Sequence, residues 1–114
     1  MKIDEVTALR LYSDSKFGAT CMKESTAHEE GKAEIVGVPC VVQFGFSSKK
    51  ECTGAVSTSA CVWIFSGSGA DFFGSSYLPV CEESDAPSIL NSTIDDAIEQ
   101  AKANPKLVLR TAAP

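Results

Sequence analysis

The chain has 114 residues, of which 44% are hydrophobic and 22% are charged, and its formal net charge is -5. This composition excludes a disordered chain, and the length predicts a single domain over residues 1–114. The negative charge argues against DNA or RNA binding, which needs Lys and Arg along the phosphates. The acidic N-terminus lacks the apolar core of a signal peptide, and no apolar run is long enough to span a membrane. We therefore expect a cytoplasmic protein with no nucleic-acid and no membrane partner.

The cysteine content favours free thiols. Five cysteines are an odd number, and no Cys-x-x-Cys pair occurs, whereas a disulfide framework is usually even and a zinc site needs clustered ligands. We expect the cysteines to be reduced thiols that serve as small hydrophobic side chains. We expect neither a metal nor a cofactor. The five residues are Cys21, Cys40, Cys52, Cys61 and Cys81.

The N-terminal third is predicted to be helical, with a break near Ser13. Residues 3–12 fit either a helix or a strand, because their apolar residues match both periodicities. The polar residues 13–15 offer N-caps for a second helix over residues 16–30, which Gly31 would end.

Residues 33–66 organise the rest of the chain. The second run, residues 56–65, begins half-polar and ends fully apolar. We predict a long antiparallel hairpin, joined by the polar linker 47–50, with the other elements packed on its apolar face. In the first run apolar side chains fall on alternate positions: Val36, Val38, Cys40, Val42, Phe44 and Phe46.

Pro39 lies within the first strand of this hairpin. Proline has no N–H to donate, so we predict that this strand lies at a sheet edge or is bulged. An edge strand with an apolar face pairs readily with other chains, and a partner subunit could cover it. We therefore expect a homodimer or a higher homo-oligomer.

Three further segments follow the hairpin before the last helix. Residues 67–76 are predicted to form a glycine-rich loop, either a hairpin turn or a phosphate-binding loop. Residues 77–81 read as a short third strand that Pro79 interrupts. Residues 82–87 are predicted to be an acidic surface loop.

The C-terminal part is predicted to contain one helix and one strand. Ser92 or Thr93 can cap the helix, and Asn104-Pro105 ends it. Residues 106–110 read as a last strand. The fold class is therefore α+β, an antiparallel sheet built on the central hairpin with an N-terminal helical segment and a C-terminal helix. Helical spacing relates four apolar residues of that helix, Ile94, Ala97, Ile98 and Ala101.

His28 is the only histidine and would be needed by a cysteine-dependent hydrolase. Cys21 lies two turns earlier on the predicted helix, about 10 Å along its axis, which is too far for a hydrogen bond. Such a hydrolase therefore requires another cysteine to approach through the fold. We keep this enzyme as one alternative.

Several other side chains are candidates for ligand binding. Phe17 belongs either to the core or to an exposed stacking surface, and the same choice applies to Phe72 and Phe73. Asn91 either serves helix capping or presents its amide to a nucleobase. Arg110, in an apolar segment, has to extend its guanidinium to solvent, pair with an acid or meet a ligand anion.

In length, layout and these scattered residues the chain resembles the small phage proteins that sequester the cyclic ADP-ribose signal of the bacterial Thoeris defence system. The resemblance implies homo-oligomers that bind the signal without cleaving it, in pockets shared between subunits. It places Phe17, Asn91 and Arg110 at the ligand, and His28 where a basic group is expected.

The predicted function is thus non-enzymatic binding and sequestration of a small cyclic nucleotide-type signal, a cyclic ADP-ribose isomer, which counters a host defence pathway. The alternative from the interaction class is a protein-binding inhibitor that uses its acidic surface and an exposed strand edge. The alternative from the enzyme class is the cysteine-dependent hydrolase.

Overall fold

A computed structural model describes residues 1–21 and 23–112 of the chain. Its strands form one antiparallel sheet in the order β1-β2-β3-β4, so the predicted α+β class is confirmed. Among the described residues, no helix is long and apolar enough to cross a membrane. The elements are α1 (Glu5–Gly18), β1 (Ser25–Ile35), β2 (Val38–Lys50), β3 (Val56–Ser66), β4 (Phe72–Val80), a short 3-10 helix (Glu83–Asp85), α2 (Ala86–Ala103) and α3 (Pro105–Ala112).

The helices cover one face of the sheet. Tyr12 of α1 packs edge-on against Phe46 of β2, with 5.6 Å between ring centroids, and α2 packs closely over Gly74 of β4. Five of the six alternate apolar residues predicted for the first run, those from Val38 to Phe46, point to this covered face, whereas Val36 is exposed in the turn before β2. The opposite face carries no described helix. We call that second surface the open face. The largest fully buried side chains of the core are Phe46, Phe73, Ile64, Leu90, Ile94 and Leu107.

Strands β2 and β3 are longer than the sequence suggested. Their pairing runs from Cys40 opposite Ser66 to Lys50 opposite Val56, so residues 47–50 are strand and not linker. The reason is a buried chain of hydroxyls under the sheet. Ser48 Oγ lies 2.7 Å from Thr58 Oγ1, and 2.8 Å from the hydroxyl of Ser15 on α1. Because these hydroxyls satisfy one another, polar residues continue the strand at no cost in unpaired groups.

The N-terminal prediction was wrong in two places. Helix α1 continues through Ser13 without a break and is capped at its start by Asp4, whose carboxylate accepts from the Thr7 N–H at 2.7 Å. The helix then ends at Gly18, where an added Cβ would overlap the Ser25 hydroxyl. Of the predicted helix over residues 16–30, residues 16–18 end α1 and residues 25–30 begin β1, whose side chains alternate between half-buried and exposed.

Pro39 also lies elsewhere than predicted. Strand β2 is an inner strand, and the two edge strands are β1 and β4. The carbonyl of Pro39 accepts from the Gly67 N–H at 3.0 Å, beyond the end of β3. The backbone of Pro39 therefore faces the loop after β3, where a missing N–H interrupts no ladder.

The C-terminal segment is helical, which corrects the predicted last strand. Asn104 begins α3, because its side-chain oxygen accepts from the Lys106 N–H at 2.9 Å while its amide donates to the Phe73 carbonyl at 2.9 Å. Pro105 suits the first turn of a helix. Over residues 105–111 of this helix, only Leu107 joins the core. The alternating pattern of residues 106–110, from which a strand was predicted, thus belongs to a short amphipathic helix that buries Leu107.

Two boundaries around β4 and α2 also differ from the sequence prediction. Strand β4 begins at Phe72, so the predicted glycine-rich loop is a short turn followed by strand. Helix α2 begins at Ala86, within the predicted acidic loop, with Pro87 in its first turn. Its predicted end at Asn104 is confirmed, and Ile94, Ala97 and Ala101 are buried as expected.

The turn between β1 and β2 contains a strained valine. Val36 has φ 49° and is 57% exposed, and Gly37 follows with φ 78°. Two residues with positive φ match a type I′ turn, which favours Asn-Gly, whereas a β-branched residue there costs on the order of 1–3 kcal/mol.

Replacing Val36 with Asn is expected to stabilise the protein by about 1 kcal/mol, because asparagine adopts positive φ more easily. Urea unfolding followed by circular dichroism measures the change. Val6→Asn is the matched control, since Val6 is an exposed valine on a helix. Equal effects of the two substitutions would contradict the strain at Val36.

Candidate functional site

The four residues predicted at the ligand lie on separate elements. Phe17 is at the end of α1, Asn91 is in α2 and Arg110 is in α3, all on the helical side of the sheet. His28 lies on β1, with its exposed side chain on the open face. The described contacts of each residue involve different partners.

Asn91 fastens the N-terminal segment to α2. Its amide nitrogen donates to the carbonyls of Ile3 and Pro87, both at 3.0 Å, and its oxygen accepts from the Ile3 N–H at 2.8 Å. The side chain thus uses its donors and its acceptor within the fold. This geometry supports a structural role, but one that differs from the helix capping expected from the sequence, because Asn91 lies within α2.

Asn91→Ala is expected to lower the free energy of unfolding by about 2–3 kcal/mol, since it leaves partly buried backbone groups of Ile3 unpaired. Ser92→Ala, at an exposed neighbouring position, is the control and should change stability by less than about 0.5 kcal/mol. Chemical denaturation provides both values. A negligible loss for Asn91→Ala would contradict the anchoring role.

Arg110 is engaged by an acid. Its guanidinium pairs with the carboxylate of Asp71 and lies 5.6 Å from the centre of the Phe73 ring. The arginine and aspartate side chains are 43% and 38% exposed, so solvent weakens the pair to about 0–1 kcal/mol. Of the alternatives considered for Arg110, the structure therefore shows the pairing with an acid.

Phe17 is 95% exposed and lies beside a shallow depression of about 360 Å³. Tyr12, Ser13, Lys16 and Glu83 complete its lining. The ammonium of Lys16 lies 5.2 Å from the centre of the Tyr12 ring. Neither Asn91 nor Arg110 contributes to this depression, so it does not assemble the predicted set.

Phe72 and Phe73 point to opposite sides of the sheet. Phe73 is buried in the core, whereas Phe72 is 45% exposed and packs edge-on against Phe65, with 5.6 Å between ring centroids. The register of β3 and β4 shifts at this point: Phe72 is paired with Phe65, and Gly74 is paired with Ile64. The core prediction is therefore confirmed for Phe73, and Phe72 is the exposed member of the pair.

The open face carries a second aromatic pair. The indole N–H of Trp63 donates to the Tyr77 hydroxyl at 2.9 Å, and the ring centroids are 5.8 Å apart. Because Trp63 is held both by a hydrogen bond and by ring packing, its orientation is fixed before any ligand arrives.

A polar groove of about 370 Å³ begins at these two rings, a volume within the range of small-molecule sites. Cross-strand pairing of Thr26 with Ser47, and of Ser47 with Ser59, sets one row of hydroxyls across three strands. Lys49 lies opposite Ser57 and forms the next row. We call this site the hydroxyl groove; its lining residues are Glu24, Thr26, Ser47, Lys49, Ser57, Ser59, Trp63 and Tyr77.

Part of the groove is internally bonded and part of it is free. The Thr26 hydroxyl donates to Ser47 at 3.2 Å, and Ser47 donates to the carboxylate of Glu24. Within the described residues, the hydroxyls of Ser57 and Ser59 and the ammonium of Lys49 have no hydrogen-bond or ion-pair partner in the protein. Such a site offers a stacking ring, free hydroxyl groups, one cation and one anion.

Sequence reasoning missed this groove because register is a tertiary property. The serines at 47, 57 and 59 looked like a linker and a half-polar strand start. The available signal was alternation, since each serine is two residues from another polar residue on the same face. Pairing of β2 with β3 then places Ser47 beside Ser59, on the strand that carries Trp63.

The open face also brings a histidine and a cysteine into one cross-strand row. His28 is opposite Gly45, and Gly45 is opposite Cys61. Two strands of separation correspond to about 10 Å. Burial, together with the smaller effect of the Glu24 charge, raises the pKa of the Cys61 thiol to about 12. A nucleophile needs a thiolate, so this row lacks the activation that a cysteine-dependent hydrolase requires.

The remaining cysteines divide by exposure. Cys40 is buried, and burial raises the pKa of its thiol, whereas Cys21, Cys52 and Cys81 are exposed free thiols. In the described part of the chain, no cluster of three His, Cys, Asp or Glu side chains is arranged to hold a metal ion.

Thiol labelling at pH 8 is expected to modify Cys21, Cys52 and Cys81 quickly. Cys40 and Cys61 should react only after unfolding, because a raised pKa keeps a thiol protonated at pH values below that pKa and burial blocks access. Mass spectrometry of tryptic peptides measures each rate, with the urea-unfolded protein as control. Preferential labelling of Cys61 in the folded protein would revive the hydrolase alternative.

Comparison with known proteins supplies no relative from which a role could be transferred. A scan against protein-family models, a search of curated proteins and a search of solved structures each found no match for the chain. The functional assignment therefore rests on the chemistry of the groove residues.

Proposed function

We propose that the protein binds a small nucleotide-like ligand in the hydroxyl groove and releases it unchanged. The observation that carries this proposal is the fixed Trp63–Tyr77 pair at one end of a groove lined with free hydroxyls and a lysine. The ligand class is that of the cyclic ADP-ribose isomers, as the resemblance to the Thoeris signal-sequestering proteins implies.

The base would stack on the exposed part of the Trp63 ring. Stacking of a nucleobase on an aromatic side chain contributes about 1–3 kcal/mol and tolerates any base. The hydrogen bond from Trp63 to Tyr77 lowers the entropy lost on binding, because the ring is already oriented.

The sugar and phosphates would extend along the two polar rows. The Ser57 and Ser59 hydroxyls can donate to and accept from ribose oxygens, and Glu24 can accept from a ribose hydroxyl. Lys49 supplies a charge-assisted bond to a phosphate oxygen. With one lysine facing a diphosphate, we expect affinity to depend more on stacking and hydroxyl contacts than on charge.

Sequestration needs affinity and abundance but no reactive group. The residues that line the groove include neither a histidine nor a cysteine, and the buried Cys61 thiol stays protonated. These features support binding over hydrolysis. By holding the signal, the protein would keep it from its receptor and so counter the host defence pathway.

Fluorescence titration tests the proposal directly, because Trp63 is the single tryptophan of the chain. Adenosine, ADP and cyclic ADP-ribose isomers are added separately, and the expected result is saturable quenching with the strongest binding for a cyclic ADP-ribose isomer. Calorimetry on Trp63→Ala should show an affinity at least about tenfold lower, since the stacking contact is lost.

Matched variants separate this site from the residues predicted from sequence. Phe17→Ala and Arg110→Ala should change the affinity by less than about twofold, because neither side chain lines the groove. Lys49→Ala should weaken ADP binding but leave adenosine binding unchanged. Absence of heat with every nucleotide would refute the function, and loss of binding only in Phe17→Ala or Arg110→Ala would move the site to the helical side.

A further inference from the structure

The two edges of the sheet are protected to different degrees. Strand β4 carries Pro79 and a register irregularity near Phe72, both of which discourage pairing with another chain. Strand β1 is eleven residues long, contains no proline, and pairs with β2 without a register shift. Within the described residues, no backbone hydrogen bond from outside the sheet reaches β1.

The turn after β1 decides which of its backbone groups are free. A turn of two residues makes Ile35 and Val38 a hydrogen-bonded pair, and pairs alternate along an antiparallel ladder from there. The Gly67 N–H donates to the Pro39 carbonyl, so the backbone of Pro39 points away from β1, as this alternation requires. The residues of β1 that direct their backbone to the free edge and their side chains to the open face are Thr26, His28, Glu30, Lys32 and Glu34.

These side chains carry a charge pattern that complements itself most fully in one register. An antiparallel pair of identical strands with its two-fold axis at Gly31 sets Glu30 opposite Lys32 and His28 opposite Glu34. Each pair occurs twice because of the symmetry.

The two nearest registers of the same backbone phase oppose like charges, and an axis at Ala33 sets Lys32 opposite Glu34 but pairs only residues 31–35 of β1. A two-fold axis at Glu30 places that carboxylate against its own copy and His28 against Lys32. An axis at Lys32 places two ammonium groups together and Glu30 against Glu34. Registers shifted by a single residue are excluded, because they oppose an outward backbone group to an inward one.

We propose that two copies of the chain join through their β1 edges, with the two-fold axis at Gly31, into one continuous sheet. The two open faces then lie on the same side of the dimer. Val36 of the second copy lies opposite Thr26, so the strained, exposed turn of one subunit borders the hydroxyl groove of the other. The dimer itself does not depend on ligand binding in that groove.

Sedimentation equilibrium of the whole protein tests the interface. The wild type is expected at about twice the 12.0 kDa mass of one chain. Lys32→Glu turns both Glu30–Lys32 pairs into like-charged pairs and should raise the dissociation constant at least about tenfold. The swap Glu30→Lys with Lys32→Glu restores opposite charges in this register and should restore the dimer, whereas an axis at Ala33 would then oppose Glu34 to a second carboxylate.

A cross-link provides an independent readout with exposed Cys21, Cys52 and Cys81 changed to serine. Gly31→Cys should form a disulfide between subunits under mild oxidation, because Cα atoms of such a facing pair are about 4.5 Å apart. The added Cβ meets the flexible end of Met1 and, at 3.6 Å, Phe44. Ala33→Cys is the control, since its copies would lie about 14 Å apart.

Three outcomes would overturn the proposal: a monomeric wild type, a dimer that Lys32→Glu leaves intact, or cross-linking at Ala33 but not at Gly31. Circular dichroism spectra identical to those of the wild type show that each variant is folded. Loss of nucleotide binding with an intact dimer would refute the proposed ligand and leave this interface standing.

Discussion

The register between β2 and β3 is the constraint on which both surfaces of the sheet depend. Because side chains alternate, a shift of one residue would exchange the buried and the solvent-facing sets. In the observed register, Phe46 faces Ala60 beneath the helices, while Gly45 faces Cys61 on the open side. The core and the hydroxyl groove are therefore two consequences of one pairing.

The same end of the sheet uses hydroxyls in two ways. On the covered side, Ser15, Ser48 and Thr58 bond to one another and close a polar chain inside the core. On the open side, Ser57 and Ser59 alternate with those buried residues and remain available to a ligand. Burial requires each hydroxyl to find a partner, whereas solvent exposure leaves them free until a ligand binds.

Residues that looked functional in the sequence are largely engaged in holding the molecule together. Asn91 bonds the N-terminal segment, and Arg110 pairs with Asp71 and packs over Phe73. The partner of Asn91 lies 88 residues away along the chain and that of Arg110 lies 39 residues away, so no local sequence pattern predicts either contact. The groove residues show the converse. Serines near a strand end look like a loop in the sequence, and only the pairing of the strands makes them part of a candidate site.

The sequence by itself determined the α+β class, the apolar face of β2 and the buried stripe of α2, because periodicity records which side of an element is buried. It misplaced the end of α1, the nature of residues 105–112 and the edge strands, since those depend on contacts between distant segments. Tertiary structure alone decided the groove beside Trp63 and the free edge at β1. Both follow from strand order and register, which are set by packing of the whole sheet and are not encoded in any single stretch.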